Sequence, residues 1–159
     1  MSSQVLSQQA SALDVWVRLL RGHAAAMRAM NARLVAEHGL TINGYEALLH
    51  LARAEGARMR RVDLAERLIL TASGVTRLLD GLERAGLVDR AACDSDRRVT
   101  YAVLTPAGRT KLEEASESHI ADVRAFFEEH FSKKELDQLA GLLGRLPGVA
   151  AAVGEDCAA

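Results

Sequence analysis

Four charged side chains crowd into a few residues of CDSDRRVTYAVLTPAGR, residues 93–109: Asp94, Asp96, Arg97 and Arg98. A hydrolase could use the paired carboxylates as acid and base. A nucleic-acid reader could use the arginines, whose planar guanidinium suits bidentate and phosphate contacts. Other sources of enzyme chemistry are missing from the pattern. The pairs Glu113-Glu114 and Glu128-Glu129 are adjacent, so on a helix they point to different sides and read as solvated faces. There is no Gly-rich phosphate loop, nucleophile elbow or metal motif. His23, His38, His50, His119 and His130 show no paired ligand spacing. No catalytic residue, cofactor or metal is expected.

Composition narrows the class further. The chain has 159 residues, 49% of them apolar, enough for a real core. The two prolines, Pro106 and Pro147, leave room for long helices. No apolar run approaches the roughly 20 residues of a membrane span. The stretch MSSQVLSQQASALD has no basic start and no apolar segment, so no signal peptide is expected. Cys93 and Cys157 are too few for a disulfide framework. A soluble cytoplasmic protein is the expectation. Net charge is −1, but unevenly spread: residues 53–98 hold ten Arg against eight acids, and residues 111–156 hold five basic residues against ten acids.

These residues need elements to position them. Leu13, Trp16, Val17, Leu20, Ala24, Met27 and Leu34 recur at helical spacing, which predicts one helix over 11–37 with Gly39 as its stop. Asn43 and Glu46 have capping-box spacing for a second helix to about Arg53. Asp63 and Glu66 have it for a short third. Thr71 is a good N-cap for a fourth, buried through Val75, Leu78, Leu79 and Leu82, with Gly86 suited to the left-handed position beyond its end. The period then changes to that of strands over 87–90 and 99–104, with Asp94-Ser95-Asp96 as turn chemistry between them. Thr105-Pro106 starts a long helix to about His130, and Ser132 with Glu135 caps a last one.

A short helix, a tight turn at Ile69-Leu70-Thr71 and a second helix with a small polar face is the helix-turn-helix plan. Ser73, Thr76 and Arg77 fall opposite Val75, Leu78 and Leu79, where they can meet base edges and phosphates. A hairpin directly after it makes a wing. Arg97 and Arg98 at its tip suit the narrow, negative minor groove, with Asp96 orienting one of them through a charge-assisted hydrogen bond.

On these residues the chain resembles the MarR family of bacterial transcription regulators. Asp96-x-Arg98 followed by Leu104-Thr105-x-x-Gly108 resembles its wing signature, and LAERLILTASGVTRLLDGLERAGLVDR, residues 64–90, its helix-turn-helix and first wing strand. The resemblance implies a mainly α fold with a small β-wing. The winged helix-turn-helix would span 43–104, within a single domain over 1–159, flanked by dimerisation helices at 11–38 and 106–153. It implies an obligate homodimer on palindromic double-stranded DNA, usually a repressor released by a ligand or by cysteine oxidation. The surplus of apolar residues in the first helix (Val15, Trp16, Val17, Leu19, Leu20) and the last two points to an interface as well.

Family effectors bind between the dimerisation helices and the DNA-binding lobe. The resemblance makes Trp16, His23, Met27, Tyr45, His50 and Arg61 candidates for a small aromatic or anionic effector. A subset of the family binds urate or related purines through an early Trp with Arg and Asp near the third helix, loosely matched here by Trp16, Arg61 and Asp63. Redox sensing would fall to Cys93, whose acidic neighbours disfavour a thiolate while Arg97 and Arg98 oppose them. A winged helix used only for protein contact is the other alternative. It predicts loss of the wing arginines and of the polar helix face, and both are present.

Overall fold

The computed structural model describes residues 10–92 and 98–149. The element order is α1 Ala12–His38, α2 Ile42–Arg53, a 3-10 turn Glu55–Ala57, β1 Arg58–Arg60, α3 Arg61–Arg67, α4 Ala72–Arg84, β2 Val88–Ala92, β3 Thr100–Leu104, α5 Pro106–Glu128 and α6 Lys133–Leu143. The chain forms two compact units, one up to His119 and one from Ile120.

The core of the first unit is built by α2, α3, α4 and the sheet. Leu34, Leu48, Leu51, Leu64 and Val88 are its fully buried large side chains. The end of α1 joins it through Leu34 and through two polar ties. Asn31 Oδ1 accepts from the Ile42 backbone N–H at 3.0 Å, and His38 Nε2 and Ser118 Oγ share a hydrogen bond of 2.6 Å. The start of α1 is different. Leu13, Trp16 and Leu20 are 69%, 55% and 48% exposed, far above what a helix packed within its own chain leaves open.

Two expected caps are replaced by others. Thr41, not Asn43, caps α2, its hydroxyl accepting from Gly44 N–H at 3.1 Å. A threonine two residues earlier wins because its extended backbone lets the chain enter the helix there. Asp63 and Glu66 form no box either: the N-cap of α3 is Arg60, with no side-chain cap. Asp63 takes the Arg60 guanidinium instead, at 2.7 and 2.8 Å. The caps at Thr71 and Ser132 are as expected. Gly86 adopts φ +72°, and Leu87 N–H donates back to Leu82 carbonyl at 2.9 Å, which ends α4 in the left-handed manner that glycine allows.

The sheet is three-stranded and antiparallel, in the order β1-β3-β2. The two-stranded hairpin is present, with Val88 opposite Leu104 and Ala92 opposite Thr100. The strand not foreseen is β1, which pairs Arg58 with Val103 and Arg60 with Tyr101. Arg-Met-Arg is too short to show a period. Its stabilisation is non-local: the Arg58 guanidinium sits 5.0 Å from the centre of the Tyr101 ring.

The passage from sheet to α5 is tight. Thr105 Oγ1 donates to Gly86 carbonyl at 2.7 Å and accepts from Gly108 N–H at 2.9 Å. A Cβ on Gly108 would lie 2.1 Å from the Leu87 carbonyl oxygen and 2.8 Å from Leu104 Cδ1. Glycine is required here by close approach. In the second unit, Phe126 and Phe127 stack edge to face at 5.4 Å, and Ser132 with Glu135 closes a complete capping box on α6.

Candidate nucleic-acid interface

Helices α3 and α4 are joined by a turn in which Ile69 adopts φ +53°, so the chain reverses within three residues. Val75, Leu79 and Leu82 of α4 are buried against the core. That burial fixes which face is left over. Ser73 and Arg77 are exposed on it, and Ala72 presents no bulk at the helix start. Thr71 Oγ1 accepts from Gly74 N–H at 3.1 Å and lies 3.2 Å from Ser73 Oγ.

Thr76 is half-buried, and its hydroxyl is engaged. It donates to Ala72 carbonyl at 2.7 Å and accepts from Arg61 Nη2. Its hydrogen and one lone pair are thereby spent, leaving its methyl group and a second lone pair for an outside partner. This engagement joins α3 to α4 and was not visible in the sequence, because residues fifteen apart share no helical or strand period.

Arg60, Arg61, Thr76, Arg98 and Thr100 line a cleft of about 380 Å³ between the α3–α4 pair and the start of β3. Arg60 is closed onto Asp63, whose hydrogen bonds and charge raise its pKa above the ordinary arginine value. Arg98 stands exposed where the hairpin enters β3. Arg90, on β2, is gripped by Asp80 and Glu83 of α4, which ties the hairpin to the helix.

The expected site residues therefore separate. Ser73, Thr76, Arg77 and Arg98 lie on α4 and at the hairpin, with Thr76 and Arg98 brought together at the cleft. Asp96, Arg97 and Cys93 lie outside the described residues. Of the effector candidates, Arg61 lines the cleft. Trp16 and His23 are exposed on α1 and Met27 is half-buried there. Tyr45 is 7% exposed; its hydroxyl lies 3.2 Å from Ser116 Oγ and its ring 4.7 Å from that of His119, as a core residue. His50 is half-buried on α2. Asp63, the acid of the purine comparison, is occupied by Arg60. Among the described residues, no group of three His, Cys, Asp or Glu could hold a metal ion, and no helix is long and apolar enough to cross a membrane.

Comparison with known proteins agrees with this arrangement. The model of the MarR family matches residues 38–99, the stretch from the end of α1 to the wing. The HTH-type transcriptional repressor YetL of Bacillus subtilis is 33% identical over 111 residues, which is 70% of this chain and 66% of that protein, just under two thirds of its length. AbsC, a MarR family transcriptional regulator from Streptomyces coelicolor, is 30% identical with a TM-score of 0.69, over 92% of this chain and 98% of its own. Sco3205, from the same organism and solved in complex with DNA, has a TM-score of 0.75 at 24% identity, with 86% of each chain covered, and shares the fold. From the match to AbsC over nearly both chains, together with the family model, the chain belongs to the MarR family of winged helix-turn-helix transcriptional regulators, a family without enzymatic activity.

Proposed function

We propose that this protein is a homodimeric repressor that binds palindromic double-stranded DNA and is released by a small-molecule effector. The observation that carries the DNA reading is the exposed start of α4, with Ser73 and Arg77 open to solvent beside a cleft lined by Arg61 and Arg98. Small side chains at a helix start allow close approach to base edges, and arginine offers bidentate contact to guanine. Arg98, exposed where the hairpin enters β3, serves the adjacent minor groove together with Arg97, with Asp96 orienting one of them. The similarity to a protein named as a repressor supports the sign of regulation, and a fold shared with a regulator solved on DNA supports the partner. Such a protein works in the cytoplasm, where the DNA is.

The dimer rests on α1. Leu13, Trp16 and Leu20 are exposed on one helix, and a second copy would remove them from water. Two-fold symmetry then sets two copies of α4 one DNA turn apart, which is why the site should be palindromic. The effector, small and aromatic or anionic, would draw on candidates among Trp16, His23 and Met27 of α1, Tyr45 and His50 of α2 and Arg61 of α3, of which Tyr45 is buried in the core.

The test is selection of duplexes from a random-sequence pool, followed by fluorescence anisotropy at two salt concentrations. Tight, salt-dependent binding of a palindromic sequence over a scrambled control is expected. Arg77→Ala should cost roughly 1–3 kcal/mol on the selected duplex. Equal affinity for selected and scrambled DNA would refute specific reading.

A further inference from the structure

Resting on the DNA reading above, we propose that Arg61 grips a backbone phosphate of the DNA strand that runs between the two grooves, and that Thr76 is its positioning residue. A helix in the major groove and a hairpin in the next minor groove are separated by one sugar–phosphate strand. The surface joining the start of α4 to the base of the hairpin must face that strand. In this protein that surface is the cleft lined by Arg61, Thr76, Arg98 and Thr100.

The two arginines at the start of α3 differ in what they hold. Arg60 is neutralised by a bidentate pair with Asp63, at 2.7 and 2.8 Å. Arg61 bonds the neutral hydroxyl of Thr76, and no ion pair to a carboxylate is formed by it among the described residues. Among the described residues its charge is therefore not cancelled by a carboxylate. One of its five N–H donors is spent on Thr76, and the others stay available for an anion. The hydroxyl is held in turn, because it donates to Ala72 carbonyl at 2.7 Å. Arg61 is half-buried, so its stem is already ordered and little freedom remains to be lost on binding. A preset, charged fork facing a groove-to-groove strand matches a phosphodiester in charge and geometry.

The experiment uses the full chain and a short duplex enriched by the wild-type protein from a random pool, with a scrambled duplex as control. Affinity is measured across a salt series for R61Q, T76V and T76S, each checked for wild-type thermal unfolding. R61Q should lower the slope of log K against log salt by about 0.9 for each phosphate it no longer neutralises. It should weaken both duplexes by the same factor, since phosphate contacts carry no sequence information. T76V, which keeps shape but removes the acceptor, should lose part of the same slope, and T76S should restore it. An unchanged slope in R61Q overturns the proposal and would leave Arg61 to a small free anion. Loss on the enriched duplex alone would make Arg61 a base reader and overturns it too. T76S as weak as T76V refutes the positioning role. Failure to enrich any sequence with the wild-type protein would overturn the DNA reading itself, and this proposal with it. Should R61Q not fold, R61M carries the same test.

Discussion

Arg90 Nε, on strand β2, donates to the Glu83 carboxylate of α4 at 2.7 Å, and the Asp80 carboxylate one turn earlier takes its Nη2. The hairpin is thereby tied to the helix proposed to read DNA, through a cation whose own strand carries it away from the core. All three side chains are about 40% exposed, so solvent screens most of the attraction. Arg90→Ala should cost no more than about 1 kcal/mol of stability. The cost should shrink toward zero at 1 M salt, where the Debye length falls to about 3 Å. Urea unfolding of wild type and variant at low and high salt checks this; a salt-independent loss would mean that packing of the arginine stem dominates.

Gly108→Ala should be far more damaging than its size suggests. The added methyl meets the Leu87 carbonyl oxygen at 2.1 Å, a backbone atom that cannot step aside alone. A loss of about 1–3 kcal/mol or more is expected, as for other overpacked sites. The denaturation midpoint reads it out, and a wild-type midpoint would show that α5 can shift at no cost.

Ile69 invites the opposite change. It is 93% exposed and holds φ +53°, a conformation that disfavours β-branched side chains by roughly 1–2 kcal/mol. Ile69→Gly removes that strain and sacrifices no buried packing, while adding some unfolded-chain entropy. A net gain of about 0.5–1 kcal/mol is expected by chemical denaturation. A loss would assign the side chain a packing role that exposure does not reveal.

Glu135 supplies a pH prediction. Hydrogen bonds from the Ser132 side chain and then its backbone lower the Glu135 pKa below its ordinary value of 4.5. A carboxylate depressed in the folded state contributes stability that is fully present above the unfolded pKa. That contribution is lost as pH falls through the lower, folded value. The Glu135 carboxyl signal, followed by NMR, should titrate below 4.5 in the wild type and move up toward it in Ser132→Ala. A midpoint unchanged by the substitution would show that the box does not form in solution.

The elements that were legible in the sequence are those with a period or a local signal. The stripe on α1, the caps at Thr71 and Ser132 and the glycine at position 86 each declare themselves within a few residues. The polar face of α4 was legible for the same reason, because burial of Val75 and Leu79 decides what remains outside. What stayed hidden depends on distant partners. β1 exists only through β3, more than forty residues later, with Arg58 paired to Val103. The use of the Thr76 hydroxyl by Arg61 and of Asp63 by Arg60 changes what those residues can offer. Asp63 stands three residues after an arginine, a spacing at which the two side chains can pair.

The corner at Thr105 has a mechanical meaning. One hydroxyl fastens the end of α4 to the start of α5, and Gly108 sits so close to Leu87 that no slack is left between them. Such a corner behaves as a weld and not as a hinge. A twist applied to the first turns of α5 would find little room at residues 105–108 and would pass to the root of the hairpin and the tail of α4. In the proposed dimer, gearing of this kind would let a small movement of α5 set the distance between the two copies of α4.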